Sequence, residues 1–272
     1  KKVLIADTMA EPVNAIFALP ASELTFATAW LGALCFSMQI FFDFSGYSDM
    51  AIGLAKVFGF ELQENFNQPY RARNFSEFWR RWHISLSTWV RDYLYIPLGG
   101  SRGSTGRTYL NLLTCFLASG LWHGASWTVV AWGLYPGTFI VLHRLSSDLG
   151  LRPLPAPVSR VVTFLLITLG WVIFRSPTFA QASGMLRVML DPSTGASIAA
   201  GQHLGSDVYF FLLVGMFLSF MPEHIMLRLA KVAGRANGVS VSLKGTGVAV
   251  LLILCFGRAV TATFNPFLYF RF

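Results

Sequence analysis

Two histidines each follow a tryptophan directly, in Trp82-His83 and in Trp122-His123. A neutral imidazole can take a proton from a hydroxyl near neutral pH, and an apolar wall keeps such a ring neutral and available. Arginines cluster around the first histidine, with Arg80 and Arg81 just before it and Arg91, Arg102 and Arg107 between it and the second. Acyl transfer asks for such a set: a base to activate an acceptor oxygen, and donors for the charge that develops on the acyl carbonyl. His123 is the candidate base, and His83, Arg80, Trp122 and Ser126 are candidates to hold or polarise the other groups. The chain has no G-x-S-x-G elbow, which argues against a serine hydrolase triad. It has no H-E-x-x-H, and two distant histidines without a matched carboxylate make a weak metal site. The plainer alternative is that each histidine is a hydrogen-bonded core residue.

The elements that must position these residues are those of a membrane. Of the 272 residues, 54% are hydrophobic and 12% charged, with a mean hydropathy of +0.54. A soluble domain carries about 25% charged residues, so this is the balance of a polytopic membrane protein. The net charge of +8 then belongs to cytoplasmic loops and implies no nucleic-acid partner. Cys35, Cys115 and Cys255 each stand alone in apolar runs and read as packed hydrophobes.

Residues 1–23, interrupted by Pro12 and Pro20, read as a cytoplasmic or interfacial lead-in, and the opening Lys1-Lys2-Val3-Leu4 as the middle of a longer protein. Residues 24–42 are uncharged and long enough to span. Asp43 and Asp49 follow and must face protein or water, which a short second helix over 50–60, entering partway, would allow. After a polar loop, Asn74 and Glu77 form a capping-box pattern. The helix it opens carries Arg80, His83, Ser87 and Arg91 on one polar face and is interfacial, or else a plain surface helix with snorkelling arginines. The glycine-rich stretch 99–103, with Arg102 and Arg107, is either a turn or a contact for a phosphate-bearing donor. Residues 109–122 and 125–142 form a hairpin with positive charge at its open end, which places His123 deep in the membrane or towards its far side. Residues 161–174, 208–221 and 247–264 are further spans, the last with Arg258 inside it. A short amphipathic piece lies at 185–190, and an amphipathic segment at 223–235 lies on the cytoplasmic leaflet.

Four blocks carry a resemblance: Asn65-Phe66-Asn67-Gln68-Pro69-Tyr70, Phe78-Trp79-Arg80-Arg81-Trp82-His83-Ile84-Ser85-Leu86-Ser87, Tyr93-Leu94-Tyr95-Ile96-Pro97-Leu98-Gly99-Gly100 and Gly120-Leu121-Trp122-His123-Gly124-Ala125. Together they resemble the membrane-bound O-acyltransferase family, and within it the branch that acetylates alginate. Both chain ends are similar to that branch too, the closing Asn265-Pro266-Phe267-Leu268-Tyr269-Phe270 included. The resemblance implies an all-α polytopic fold with spanning, re-entrant and interfacial helices around a tunnel. It implies one catalytic part, residues 1–272, from which N-terminal spans are absent. The signature histidine of the family falls on His123, and its second active-site position on His83. Arg80, Trp122, Ser126, Asn67 and Arg91 are the candidate substrate-binding positions, with no metal and no bound cofactor. The implied donor is a cytoplasmic acyl compound such as acetyl-CoA, the implied partners are periplasmic acetyltransferases, and the implied location is a bacterial inner membrane. A transporter or flippase lined by Asp43, Asp49, His83 and His123, and a structural subunit of a polysaccharide export complex, are the alternatives.

Overall fold

A computed structural model describes residues 1–195, 204–222 and 238–261, together with Ile225 and Arg228. The secondary structure of the described residues is all helical, without strands. The molecule is built around α2 (Phe26–Val57), which Thr25 caps by accepting the Thr28 N–H. Every residue from 35 to 46 is buried, as expected of a helix that is apolar all round and sits at the centre. Its 32 residues make a rod of about 48 Å, longer than the roughly 30 Å of a hydrocarbon core. By length and composition α2 and α7 (Ala156–Arg175) are apolar enough to cross a membrane, and α9 (Ser206–Phe220) is a shorter apolar helix.

The expected break in α2 after residue 42 does not occur, and no separate short helix forms at 50–60 before the chain leaves α2 at Val57. The two acids do not force a break because each has a cation. Lys2 bonds Asp43 at 2.7 Å and Asp7 at 2.7 Å, while Lys1 meets Asp49 at 2.6 Å. The same contacts correct the expectation for the lead-in. Lys2–Ala6 forms a π-helical turn that runs into α1 (Asp7–Ala18), and α1 packs along α2. Met9, Val13, Ile16 and Phe17, at helical spacing, form its buried stripe. Ile16 lies so close to Gly32 of α2 that a Cβ there would stand 2.6 Å from its Cγ2.

The expected helix from residue 74 is also corrected. α3 covers only Phe75–Trp79, and α4 covers Ile84–Val90 and continues as a π-helical turn, Arg91–Tyr95. Between α3 and α4 His83 takes a left-handed backbone, φ 44° and ψ 56°. Arg80, His83, Ser87 and Arg91 therefore do not share one helical face. Half of the capping box forms: Asn74 accepts the Glu77 N–H at 2.8 Å, but Glu77 reaches back to the N–H of Arg73, one residue early.

The hairpin is as expected in place, α5 (Thr105–His123) against α6 (Trp127–Asp148), though both helices are less apolar than α2 and α7. Gly120 and Gly133 let the two backbones touch: a Cβ on Gly133 would lie 2.6 Å from the Phe116 carbonyl oxygen. α7 packs on both α2 and α6, and α8 (Phe179–Leu190) on α2 and α7; α8 begins well before the short piece expected there. The last described helix, α10 (Gly238–Thr261), is not among the candidate spans, and it brings Arg258 to Asp207 at 2.9 Å and to the Thr8 hydroxyl at 2.7 Å, the partners expected for an arginine inside an apolar run. The amphipathic segment 223–235, Ile225 and Arg228 aside, and the closing motif at 265–270 lie outside the described residues.

Removing one partner of a buried ion pair costs about 3–5 kcal/mol, whereas replacing the pair by apolar groups is often neutral. Lys2 and Asp43, at 13% and 3% side-chain exposure, meet that condition. Asp43→Leu is expected to lower the melting temperature in detergent, and adding Lys2→Met together with Asp7→Asn, which leaves neither acid without its cation, is expected to restore much of the loss. Additive losses in the triple variant would show that Lys2 does not bridge α2 to the lead segment.

Candidate active site

His83 has a positive φ of 44°. Its backbone strain must be held by its neighbours, because a non-glycine left-handed residue costs of order 1–3 kcal/mol. The restraint comes from residues 65–67, which pair with the chain on either side of it. The Asn67 N–H donates to the Arg81 carbonyl at 2.9 Å, and the Ile84 N–H to the Asn65 carbonyl at 3.0 Å. The Asn65 side-chain oxygen then accepts from both the N–H and the hydroxyl of Ser85, at 3.0 and 2.9 Å. So held, the imidazole is 7% exposed and meets Phe44 of α2 edge-on at 4.7 Å.

His123 closes α5 and is 8% exposed. Its Nδ1 lies 2.6 Å from the Ser119 carbonyl oxygen one turn back. A carbonyl only accepts, so Nδ1 carries the proton and the basic lone pair is on Nε2. Trp132, Trp122 and Phe174 present edges or faces to this ring at 5.1, 4.8 and 6.2 Å. Trp122 also stands 6.4 Å from the His83 ring, and the two histidines are close enough for the charge of one to be felt by the other. The structure thus brings together His83, Trp122 and His123 from segments 40 residues apart.

The remaining candidates make other contacts. Arg80 is exposed at the end of α3. Asn67 is exposed and enters through its backbone, whose carbonyl also accepts from the Arg81 guanidinium at 3.2 Å. Arg91 is exposed and makes a two-point bond to Asp92. Ser126 caps α6 and shares a 2.7 Å hydrogen bond with Thr128. Trp122, 61% exposed, is the open edge of the site. Arg102 and Arg107 lie on the surface around the glycine turn, where Gly99 and Gly100 have φ of 103° and 57°. Asp43 and Asp49, the acids of the conduction alternative, are ion-paired to lysines.

Sequence reasoning missed Asn65, Phe44, Trp132 and Asn111. Asn65 opens the Asn65–Tyr70 block, but nothing in its spacing says that its amide oxygen folds back onto Ser85. Asn111 is buried on α5 and donates to the carbonyls of Leu98 and Gly100, so it sets the glycine turn. A buried amide in an apolar run was its signal.

An all-helical membrane bundle with a buried, oriented histidine at a helix end is the class defined by this fold and site. The chain belongs to the membrane-bound O-acyltransferase family, whose model matches residues 8–160. It is similar to the probable alginate O-acetylase AlgI of Azotobacter vinelandii, 40% identical over 301 residues, covering 100% of this chain and 60% of the relative. It is similar to the peptidoglycan O-acetyltransferase of Helicobacter pylori, 42% identical over 215 residues, covering 78% of this chain and 40% of the relative. It also matches the teichoic acid D-alanyltransferase of Bacillus subtilis, 29% identical over 158 residues, covering 53% and 40%. The chain spans 40–60% of the length of these relatives.

Two outcomes test this geometry. Asn65→Ala leaves the part-buried Ser85 N–H unpaired, at about 1–3 kcal/mol; melting temperature and acyl transfer are both expected to fall, with Asn65→Asp near wild type. A fully active Asn65→Ala protein would remove residues 65–67 from the site. Glu77 anchors the same region through Arg73 and Arg81, at 3.1 and 2.9 Å. Its partial burial works to raise its pKa, but hydrogen bonds from Arg73 and the charge of Arg81 hold it below the ordinary value of 4.5. A depressed carboxylate stabilises above its unfolded pKa and loses that contribution as pH falls through the folded one. Melting temperature is therefore expected to drop below pH 4.5, and less steeply in Glu77→Gln; equal slopes would count against the anchor.

Proposed function

We propose that this protein is a membrane O-acyltransferase that takes an acetyl group from a cytoplasmic donor, with acetyl-CoA the candidate, and delivers it across the bacterial inner membrane for O-acetylation of an exopolysaccharide such as alginate. Periplasmic acetyltransferases complete the transfer in this reading. The observation that carries it is His123, buried at the end of α5 with Nδ1–H on the Ser119 carbonyl and Nε2 as its basic atom. The relatives named for acyl transfer to alginate and peptidoglycan support the reaction class.

The hairpin supports the direction. Arg144 approaches Ser101 at 3.4 Å and Tyr109 bonds Asp148 at 2.8 Å, so the arginine-rich ends of α5 and α6 lie together. The positive-inside rule makes that end cytoplasmic. The 19 residues of α5 then carry His123 about 28 Å towards the other face. A passage open on both sides has to connect the donor to it.

In the transfer, the acceptor hydroxyl oxygen attacks the acyl carbonyl carbon while its proton moves to Nε2 of His123. The intermediate collapses by breaking the bond between the acyl carbon and the donor, and the imidazolium returns the proton to the leaving group. His83 sits beside this path as the second polar group, with Trp122 at its edge and Arg80, Asn67, Ser126 and Arg91 as outer contacts for substrate. A general base contributes about 10²–10⁴-fold. In cells producing the polymer, His123→Ala is expected to leave the protein in the membrane and to cut acetylation by at least 10²-fold, read by mass analysis of the polysaccharide. Wild-type acetylation in that variant would end the catalytic assignment.

A further inference from the structure

The open end of the α5–α6 hairpin is strongly basic. Residues 99–160 hold five arginines, Arg102, Arg107, Arg144, Arg152 and Arg160, against one acid, Asp148. Arg102 and Arg107 stand at the start of α5, Arg144 near the end of α6, Arg152 in the α6–α7 connection and Arg160 in the first turns of α7. The acid is engaged by the Tyr109 hydroxyl at 2.8 Å. Arg144 reaches a neutral group, the Ser101 hydroxyl, at 3.4 Å, and that hydroxyl shares a 2.8 Å bond with Tyr95. The Arg107 stem folds back over Gly103, where a Cβ would stand 3.3 Å from its Cγ. Arg102, Arg107 and Arg152 are exposed.

Apolar side chains are exposed among these charges. Leu149, Leu151 and Leu154, around the α6–α7 connection, are each more than half exposed. Trp89 and Tyr93, with rings 5.5 Å apart, are exposed on the arm that leads to Tyr95 and Ser101. Such a surface suits neither water nor hydrocarbon alone. Leucines gain by leaving water, guanidiniums gain by meeting phosphate, and Trp and Tyr collect at the level where the two layers join.

We propose that this end of the hairpin binds the anionic phospholipids of the leaflet it faces, with guanidiniums on headgroup phosphates and leucines among the acyl chains below. The inference rests on the placement of the hairpin and not on the chemistry of His123. A guanidinium fork meets phosphate oxygens two at a time. A zwitterionic headgroup brings its own cation, so the preference follows net charge. A lipid fits better than a soluble phosphate compound, because the arginines are spread over three helix ends and interleaved with exposed leucines. A small-ligand site is concave, and its polar groups converge.

The test uses the intact protein in detergent, offered equimolar phosphatidylglycerol and phosphatidylcholine, with bound lipids counted by native mass spectrometry. Wild type is expected to retain phosphatidylglycerol in excess, with or without added coenzyme A. Arg102→Gln, Arg107→Gln and Arg152→Gln, singly and together, are expected to cut that excess about fivefold for each arginine removed. Arg187→Gln, at an exposed position on α8, is expected to leave it unchanged. An even ratio in wild type, or an equal drop in Arg187→Gln, would overturn the proposal. So would displacement of phosphatidylglycerol by coenzyme A, which would assign the arginines to a soluble phosphate compound. His123→Ala is expected to keep the wild-type ratio, so this inference and the acyl-transfer reading fail separately. Should the triple variant fail to accumulate, the single variants decide.

Discussion

The pairing of residues 65–67 with residues 81–85 is the constraint on which the site depends. It holds His83 in a left-handed backbone that its side chain would not choose. Without it α3 and α4 would tend to merge into one interfacial helix, and the imidazole would lie on a surface stripe with Arg80 and Arg91. With it the chain kinks, the ring turns inwards onto Phe44, and it comes to Trp122 and the neighbourhood of His123. Strain of this kind persists only when its surroundings over-determine it. Here they do: backbone bonds on both sides, the amide of Asn65, and Trp82 packed among Phe66, Phe78 and Trp171.

The low dielectric around α2 imposes a second rule, that polar groups in the bundle must find each other. Tyr70 shows it in the core, donating to the Ser37 carbonyl at 2.6 Å and receiving the Trp171 indole N–H at 3.2 Å. The ion pairs of Lys1 and Lys2 with Asp49 and Asp43 show it along α2, and Arg258 with Asp207 and Thr8 shows it between α10, α9 and α1. These contacts tie the first residues of the chain to its central helix and set the position of Phe44, one residue from Asp43. The charges that invited a conduction path are in this way used up in holding the bundle together.

Much of the architecture was legible beforehand. The candidate spans α2 and α7 and the shorter apolar helix α9 are written in uninterrupted apolar runs, and the α5–α6 hairpin in a histidine-glycine break between two such runs with arginines outside them. The two tryptophan-histidine pairs pointed to the two histidines that the fold buries on either side of Trp122. The length of α2 was not legible, because Asp43 and Asp49 look like a boundary until their lysines are seen. Nor was the burial of α1, because Pro12 and Pro20 suggest a loop to any local reading, while Pro12 is in fact buried inside the helix.

By itself the amino-acid order determined what recurs locally: hydropathy, helical period and the residue types able to move a proton. Those depend on neighbours a few positions away, and so survive without a fold. Only the tertiary structure decided which nitrogen of His123 carries the proton, that His83 points inwards, and that Asn65 folds back onto Ser85 beside it. The last two depend on contacts with residues whose distance along the chain says nothing of their distance in space.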